Sequence, residues 1–160
     1  MKIEEKLVKT LTARSLSLCT AESCTGGLIA GRITSVPGAS ASFEGGVVTY
    51  SNRAKTALLG VPAEVIERHG AVSGEVARAM AEGARERLGT DIAVAVTGIA
   101  GPAGGSPEKP VGTVFISLAA RGTTSVRGFL FEGTRRVIRR RSGDEALLFV
   151  LDHLEGKVGG

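Results

Sequence analysis

The sequence contains few of the side chains that build disulfide frameworks and zinc sites. Among its 160 residues, cysteine occurs only at positions 19 and 24, and histidine only at positions 69 and 153. Two cysteines make no disulfide framework. A zinc site with four ligands would need all four of these residues, and their spacing matches no zinc motif. We therefore expect no bound metal ion.

The chain also lacks long apolar runs and is poor in aromatic residues. No apolar run reaches the roughly 18 residues that a membrane span requires. The charged stretch "MKIEEKLVKTLTAR" at the start has no apolar segment of the signal-peptide type. These features predict a cytoplasmic protein that does not cross a membrane. Aromatic residues make up 4% of the chain, too few for a typical surface that stacks single-stranded nucleic acid.

Positive charge is concentrated in one place. The net charge is +4, but the segment "TRRVIRRRS" at 134–142 contains five arginines and no acidic residue. The rest of the chain has 15 basic and 16 acidic residues, a net charge of −1. A protein that binds duplex DNA needs a wider basic surface than one such stripe. Nucleic acid is therefore not the expected partner.

Hydrophobic periodicity predicts strands that alternate with helices and end in a hairpin. The predicted strands cover about 16–20, 45–50, 91–98, 111–119 and 123–133. Helices are predicted at about 3–13, from the "ESCTGG" stretch to 34, at 53–60, 62–70, 73–89 and 134–154, with Asn52 and Ser73 as N-caps. We see no repeat and no linker, so the pattern predicts one α/β domain over residues 1–160. Its layered fold has a mixed β-sheet flanked by helices on both faces.

Three predicted loops with unusual chemistry follow strands of this sheet. They read "AESCTGG" at 21–27, "TYSNRAK" at 49–55 and "VTGIAGPAGG" at 96–105. Ligands of open α/β sheets bind outside the carboxyl ends of the strands. We therefore predict that the three loops converge on one site.

The first loop places a hydroxyl, a thiol and several backbone N–H groups together. Such N–H groups favour an anion or a developing oxyanion. In the alternative interpretation, Ser23 or Thr25 only caps the following helix. Cys24 is a candidate nucleophile because a helix N-terminus lowers the pKa of a thiol. Since histidine is scarce, however, a small buried filler is the favoured interpretation of Cys24.

A lysine is the better candidate base for Ser23, because neither histidine lies beside one of the three loops. Four of the six lysines belong to the first helix or the tail, which leaves Lys55 and Lys109. Lys55 lies in the first turn of its predicted helix, where the dipole and burial both lower the pKa of an ammonium group. Tyr50 ends the preceding predicted strand, and its hydroxyl could relay a proton or hold substrate. The alternatives are an ordinary solvated lysine and a half-buried strand aromatic.

The glycine-rich loop at 98–110 suits close approach of its backbone to a phosphate or a ribose. It is neither a P-loop nor a dinucleotide fingerprint, so ATP and NAD are not implied. The alternative is a flexible surface lid. Of the arginine stripe, Arg135 and Arg136 are best placed to reach a phosphate from the start of their helix.

Four long stretches occur together in a specific order and spacing. They are "TAESCTGGLIAGRITSVPGAS", "GGVVTYSNRAK" followed by "LLGV", "HGAVSGEVARAMAEGAR" and "AVTGIAGPAGGSPEKPVGTV". In these stretches the chain resembles the CinA C-terminal domain family, the nicotinamide mononucleotide (NMN) amidohydrolases. The resemblance covers about residues 4 to 154 and implies a stand-alone form of this domain.

The resemblance implies a reaction, the hydrolysis of the carboxamide of NMN to nicotinic acid mononucleotide and ammonia. It implies neither a metal ion nor another cofactor. Family members are thought to use a serine, a tyrosine and a lysine, whose motif positions here are Ser23, Tyr50 and Lys55. Ser23 would attack the amide carbon, and Lys55, assisted by Tyr50, would accept its proton. A homodimer is also implied.

The expected contacts with substrate come from three loops and the start of the last helix. They are Thr25, Gly26, Gly27, Thr97, Gly98, Gly101 and Arg135. Backbone N–H groups of the first loop would hold the oxyanion, and Arg135 would hold the ribose phosphate. The chain has Thr134 where the family has an aspartate before this arginine.

Two other functions remain open at this point. One is a nucleotide-binding module without turnover, against which the retained Ser23, Tyr50 and Lys55 argue. The other is a DNA-associated role, suggested by the arginine stripe and by the historical link of the family to competence. Steep salt dependence of DNA binding would support that role.

Overall fold

A five-stranded sheet organises residues 1–158, the part of the chain that the computed structural model describes. Its strands are β1 (Leu18–Glu22), β2 (Phe43–Val48), β3 (Ile92–Gly98), β4 (Thr113–Ala120) and β5 (Thr123–Leu130). Their order across the sheet is β2-β1-β3-β4-β5. The first three strands run parallel, and β4 and β5 pair antiparallel as the predicted hairpin. The predicted mixed sheet is thus confirmed.

Helices cover both faces of the sheet, as predicted. They are α1 (Ile3–Ala13), α2 (Leu28–Thr34), α3 (Asn52–Leu59), α4 (Ala63–His69), α5 (Gly74–Leu88) and α6 (Arg135–Leu154), and one 3₁₀ turn (Ala39–Ala41) precedes β2. Within residues 1–158, no helix combines the length and the apolar character that crossing a bilayer requires.

Strand β3 shows why the two layers of helices differ. Its side chains alternate between the faces of the sheet, since successive residues of a strand point in opposite directions. Ile92, Val94 and Val96 pack with α1, α2 and α6 in the larger core cluster. Ala93 and Ala95 face α5 in the second cluster, where small side chains allow the helix to come close to the sheet. All five are buried, as expected of a strand without polar alternation.

Two of the three strands that lead to the predicted site end at different residues from those predicted, whereas β3 ends at Gly98 as predicted. β1 continues to Glu22, because its pairing with β2 runs to the Glu22–Val48 pair. Ser23 is therefore the first residue beyond the strand. β2 ends at Val48, so the prediction that Tyr50 ends this strand is wrong. Tyr50 lies in the loop that joins β2 to α3.

The cap of α3 also differs from the prediction. Ser51, not Asn52, is the N-cap, and its hydroxyl accepts a hydrogen bond from the Ala54 N–H at 3.0 Å. Serine and asparagine are equally good caps, so composition alone does not separate these neighbours. As a result, Lys55 occupies the fourth helical position and lies one residue deeper in the helix.

The predicted N-cap Ser73 and the predicted start of the last helix at about 134 are confirmed. The Ser73 hydroxyl accepts from the Val76 N–H at 3.2 Å at the start of α5. Thr134 caps α6, with its hydroxyl accepting from the Val137 N–H at 3.3 Å. A threonine can therefore do at this position what an aspartate does, namely satisfy an N–H group of the first turn.

Candidate active site

The carboxyl ends of the three parallel strands surround a cavity of about 260 Å³. This volume is near the lower end of the range for small-molecule sites, roughly 300 Å³. The three predicted loops meet here, joined by the connection between α4 and α5. The lining residues are Ser23, Cys24, Tyr50, Asn52, Lys55, Ala71, Val72, Thr97, Gly98, Ile99, Ala100, Gly101, Ala103, Gly104 and Arg135.

Ser23 and Lys55 form a buried pair at the bottom of the first two loops. The Lys55 Nζ lies 2.9 Å from the Ser23 Oγ, within hydrogen-bond distance. Lys55 is 1% exposed and Ser23 is 7% exposed, so bulk water is kept from the pair. The Ser23 N–H donates to the Val96 carbonyl at 3.0 Å and fixes this residue to β3. The interpretation of Lys55 as an ordinary solvated lysine is therefore wrong.

The other polar contacts of Lys55 are with neutral backbone carbonyls. Its Nζ donates to the carbonyls of Thr49 and Tyr50, at 3.1 and 3.3 Å. Within residues 1–158, no salt bridge joins this amine to a carboxylate. Burial lowers the pKa of Lys55, because the charged form loses its hydration. The Lys55 Nζ donates to the Ser23 Oγ in the structure. Once neutral, the amine has a lone pair that can accept the Ser23 proton across the same contact.

Cys24, next in sequence, has the surroundings of a neutral thiol. It is 6% exposed and belongs to the larger core cluster. Burial raises its pKa to about 11, and the nearby charge of Arg139 only partly opposes this effect. A thiol with such a pKa is a poor nucleophile at neutral pH. The structure thus favours the buried-filler interpretation.

The side chain of Glu22, the last residue of β1, lies at the start of α2. Its carboxylate accepts hydrogen bonds from the N–H groups of Ile29 and Ala30, at 2.9 and 3.0 Å, and the residue is 1% exposed. A carboxylate is stabilised at this position by the free N–H groups and by the helix dipole. Neither Ser23 nor Thr25 caps the helix. Any oxyanion donors must therefore come from the loop before α2 rather than from these helical amides.

The first-loop residues predicted to bind substrate do not line the cavity. Thr25 is fully buried, and its carbonyl accepts from Arg139 at 2.9 Å. Gly26 and Gly27 have φ of +57° and +101°, a backbone conformation that favours glycine. These two glycines form the turn into α2 rather than a wall of the cavity.

Tyr50 and Arg135 lie together at the cavity mouth. Tyr50 is 60% exposed, and its hydroxyl accepts from the Arg135 guanidinium at 2.8 Å. Arg135 also donates to the Gly101 carbonyl at 2.9 Å and so bridges the second and third loops. Tyr50 contacts Lys55 through its carbonyl.

The third loop lines the cavity with backbone and small side chains. Thr97 is 1% exposed, and its hydroxyl donates to the Ala71 carbonyl at 2.8 Å, which holds the α4–α5 connection against the site. A Cβ at Gly98 would lie 2.7 Å from the Val114 Cγ2 and 3.2 Å from the Cys24 Sγ. Only glycine fits this approach, so Gly98 keeps the cavity wall close to β4.

The remaining candidate bases lie outside the cavity. Lys109 donates to the His69 carbonyl at 2.7 Å and fixes the third loop to the end of α4. Neither histidine lines the cavity. Among residues 1–158, no three His, Cys, Asp or Glu side chains form a group that could hold a metal ion.

Several contributors to the site are absent from the predicted set, and three of them show why. Asn52 lines the cavity, although the sequence suggests only a cap at this position. Val72 lines it too, and a short apolar pair between two helices carries no signal of a binding site. Arg139 contacts the first loop. The arginine stripe in the sequence indicates a basic residue near the site, but it does not distinguish Arg139 from its neighbours.

The fold and the site together define a class, an α/β domain with a buried serine–lysine pair at the carboxyl ends of parallel strands. Residues 1–154 match the family model described as the CinA C-terminal domain. The chain belongs to this family. It is 56% identical over 94% of its length to a CinA-like protein of Akkermansia muciniphila.

Solved structures show the same fold. The crystal structure of a competence-damaged protein (CinA) superfamily protein from Klebsiella pneumoniae has a TM-score of 0.93 and 34% identity, covering 96% of each chain. That of a competence/damage inducible protein from Agrobacterium tumefaciens has a TM-score of 0.90 and 43% identity, covering 97% of each chain. By contrast, this chain spans about a third of the length of the curated relatives that it matches.

Proposed function

We propose that this chain hydrolyses the carboxamide of NMN to nicotinic acid mononucleotide and ammonia. The observation that carries the proposal is the buried Ser23–Lys55 pair, with a distance of 2.9 Å between Oγ and Nζ. A serine needs an adjacent base to become a nucleophile, and a lysine with a lowered pKa is one known solution. The substrate comes from the family resemblance, whereas the serine–lysine chemistry rests on the geometry.

In the first half of the reaction, neutral Lys55 takes the Ser23 proton while Oγ attacks the amide carbon. A tetrahedral oxyanion forms, and backbone N–H groups of the Ser23 loop stabilise it. Lys55, now an ammonium, gives its proton to the amide nitrogen. The C–N bond breaks, ammonia leaves, and an ester joins the acyl group to Ser23. Lys55 returns to its neutral form.

In the second half, a water molecule attacks the ester carbon and Lys55 accepts its proton. The second tetrahedral intermediate collapses by breaking the bond to Oγ, which regains a proton from Lys55. Nicotinic acid mononucleotide leaves and the free enzyme is restored. The same amine thus acts as base and acid in each half, for which a lowered pKa is an advantage.

The ribose phosphate would be bound at the cavity mouth. Arg135 holds a fixed position there through Gly101 and Tyr50, and a guanidinium suits a phosphate group. Binding energy from this remote group would orient the carboxamide against Ser23. The Tyr50 hydroxyl, beside Arg135, would contact the substrate directly.

The test is turnover of NMN in the presence of EDTA, with ammonia and nicotinic acid mononucleotide measured together. We expect equal amounts of both products. Ser23→Ala should lower kcat by about 10⁴-fold or more, because it removes one member of a nucleophile–base unit. Ser125→Ala is the matched control, since Ser125 lies on β5, which contributes nothing to the cavity. Its kcat should not change.

Two outcomes would contradict the proposal. If Ser23→Ala keeps most of the activity, Ser23 is not the nucleophile. If the unaltered protein releases no ammonia but NMN raises its melting temperature, the cavity binds nucleotide without turnover. That second outcome would favour the binding-module alternative.

A further inference from the structure

We propose that Arg139 of α6 is a positioning residue that orients the peptide groups after Ser23 for oxyanion binding. This inference rests on the proposed serine chemistry. The Arg139 Nε donates to the Cys24 carbonyl at 3.1 Å, and one of its terminal nitrogens donates to the Thr25 carbonyl at 2.9 Å. One guanidinium thus holds two consecutive carbonyls of the loop at 23–27, which we call the nucleophile loop.

These contacts determine where the amides of the loop point. In a trans peptide group, C=O and N–H point in opposite directions across one plane. Since the Cys24 carbonyl faces Arg139, the Thr25 N–H of the same peptide faces away from it. The next N–H, of Gly26, donates to the Ser23 carbonyl at 3.0 Å and closes the turn. No protein group of residues 1–158 accepts from the Thr25 N–H. Thr25 itself does not line the cavity, but this N–H belongs to the peptide group shared with Cys24, which does, and it is the donor assigned to the oxyanion.

Several neighbouring N–H groups, those of the first turn of α2, are already used. Glu22 binds the N–H groups of Ile29 and Ala30 at the start of α2. The Leu28 N–H donates to the Thr25 carbonyl at 3.0 Å. The start of α2 therefore offers little to an oxyanion, and the direction of the nucleophile-loop peptides becomes decisive.

The charge of Arg139 also remains uncompensated by an acid. Within residues 1–158, none of the salt bridges involves Arg139. Its partners are neutral carbonyls next to Ser23, so its positive potential acts at the loop where negative charge develops. Arg139 itself does not line the cavity, and its effect on catalysis passes through the loop.

The test compares Arg139→Met with Arg140→Met. Arg140 is exposed and lies on the same helix, so its substitution removes the same charge without touching the loop. We expect Arg139→Met to lower kcat for NMN by about 10²-fold, the lower range for losing one oxyanion donor. KM should stay within about threefold, and the pH at half-maximal kcat/KM should not move, because Lys55 is untouched. Arg140→Met should leave kcat within about twofold.

Arg139→Lys is the second variant and keeps the test valid if Arg139→Met folds poorly. A lysine retains the charge but lacks the planar fork that binds two carbonyls together. It should therefore regain only part of the lost rate. Thermal melts of all three variants check that the proteins compared are folded.

A second readout does not need NMN. A fluorophosphonate reacts with an activated serine: Oγ bonds to phosphorus, fluoride leaves, and the base takes the Oγ proton. The labelling rate of Ser23, followed by mass spectrometry, should fall in Arg139→Met and not in Arg140→Met. If the protein does not turn over NMN but its labelling at Ser23 still depends on Arg139, the assignment of NMN as substrate is wrong. The positioning role of Arg139 is then kept.

Three results would overturn the role of Arg139. The first is equal kcat and equal labelling in folded Arg139→Met and Arg140→Met. The second is full recovery of rate by Arg139→Lys together with an unchanged KM, which would make charge alone sufficient. The third is an unaltered protein that neither hydrolyses NMN nor reacts at Ser23, which would remove the nucleophile itself.

Discussion

Two inward-turned cations, on opposite faces of the sheet, show what separates a structural charge from a reactive one. Arg32 of α2 donates to Asp144 at 2.7 Å and to Glu4 at 2.9 Å, so it joins α2 to α6 and α1. Lys55 of α3 is more deeply buried and contacts a hydroxyl and two carbonyls. One cation has two acidic partners, and the other has only neutral ones.

The partners decide the protonation of each cation. Burial opposes the charge of Arg32, but hydrogen bonds and attraction to Asp144 and Glu4 outweigh it and raise its pKa. Burial lowers the pKa of Lys55, and no carboxylate compensates for the lost hydration. Arg32 therefore stays charged and stabilises the fold. Burial shifts Lys55 toward its neutral form, which is the direction that a general base needs.

The largest expected effect is on catalysis by Lys55. Lys55→Met should lower kcat for NMN by about 10⁴-fold, the upper range for loss of a general base. Arg32→Met is the control, since it removes a partly buried cation from the other face. Its kcat per folded molecule should stay within about twofold. Ammonia release measures both, and a Lys55→Met protein with more than a tenth of the activity would remove Lys55 from the mechanism.

The second effect is on stability and belongs to Arg32. Arg32→Met leaves Glu4 buried without its cation and releases Asp144. We expect the free energy of unfolding to fall by about 2 to 3 kcal/mol, less than for a fully buried pair because the guanidinium is partly exposed. Urea unfolding measures this change. Adding Glu4→Met to Arg32→Met should restore part of the loss, and strict additivity of the two substitutions would argue against the ion pair.

The third effect is the pH dependence of stability. Lys55 has a lowered pKa in the folded protein, so between that pKa and its ordinary value of 10.5 the unfolded chain binds more protons. The free energy of unfolding should therefore rise with pH through this interval, by up to about 1.4 kcal/mol for each pH unit of pKa difference. Lys55→Met should lack this rise. Urea unfolding from pH 7 to 10 tests it.

Glu4, an acidic partner of Arg32, should make the stability depend on pH in the acidic range. Burial opposes ionisation of Glu4, but hydrogen bonds from its own backbone and from Arg32, with the charge of Arg32, give a net lowering of its pKa. Its stabilising contribution is present above its ordinary value of 4.5 and is lost as pH falls through the folded pKa. Arg32→Met should reduce this acid loss and keep the rise attributed to Lys55. If Arg32→Met instead removed the rise with pH and kept the acid loss, the roles assigned to Arg32 and Lys55 in the pH dependence would be wrong.

Sequence patterns predict much of this comparison, but not its decisive part. The alternation of strands and helices predicts the sheet, and the loops at the strand ends place Ser23 near Lys55 in space. The burial of Lys55 cannot be read from "SNRAK", because one lysine in a short helix is ordinarily solvated. The ion pairs of Arg32 cannot be predicted from the sequence either, since Glu4 and Asp144 are 28 and 112 residues away along the chain.

The contacts of Arg139 are also beyond what the sequence predicts. The arginine stripe predicts a positive surface at the start of α6, and composition cannot tell which of the five arginines turns toward the sheet. That choice depends on the helix phase and on the position of two loop carbonyls. Glu22 is similar, because its role as acceptor for α2 depends on β1 ending one residue before Ser23.

The smallest effect should come from Cys24, which shares the surroundings of Lys55 but not its hydrogen bonds. Cys24→Ala should leave kcat within about twofold, because its pKa of about 11 keeps the thiol neutral. Removing the buried sulfur should cost about 1 kcal/mol of stability. Ammonia release and urea unfolding measure the two changes. A loss of activity above about 100-fold would instead make the thiol the nucleophile and reduce Ser23 to its neighbour, so this conservative change tests the assignment of Lys55 to Ser23.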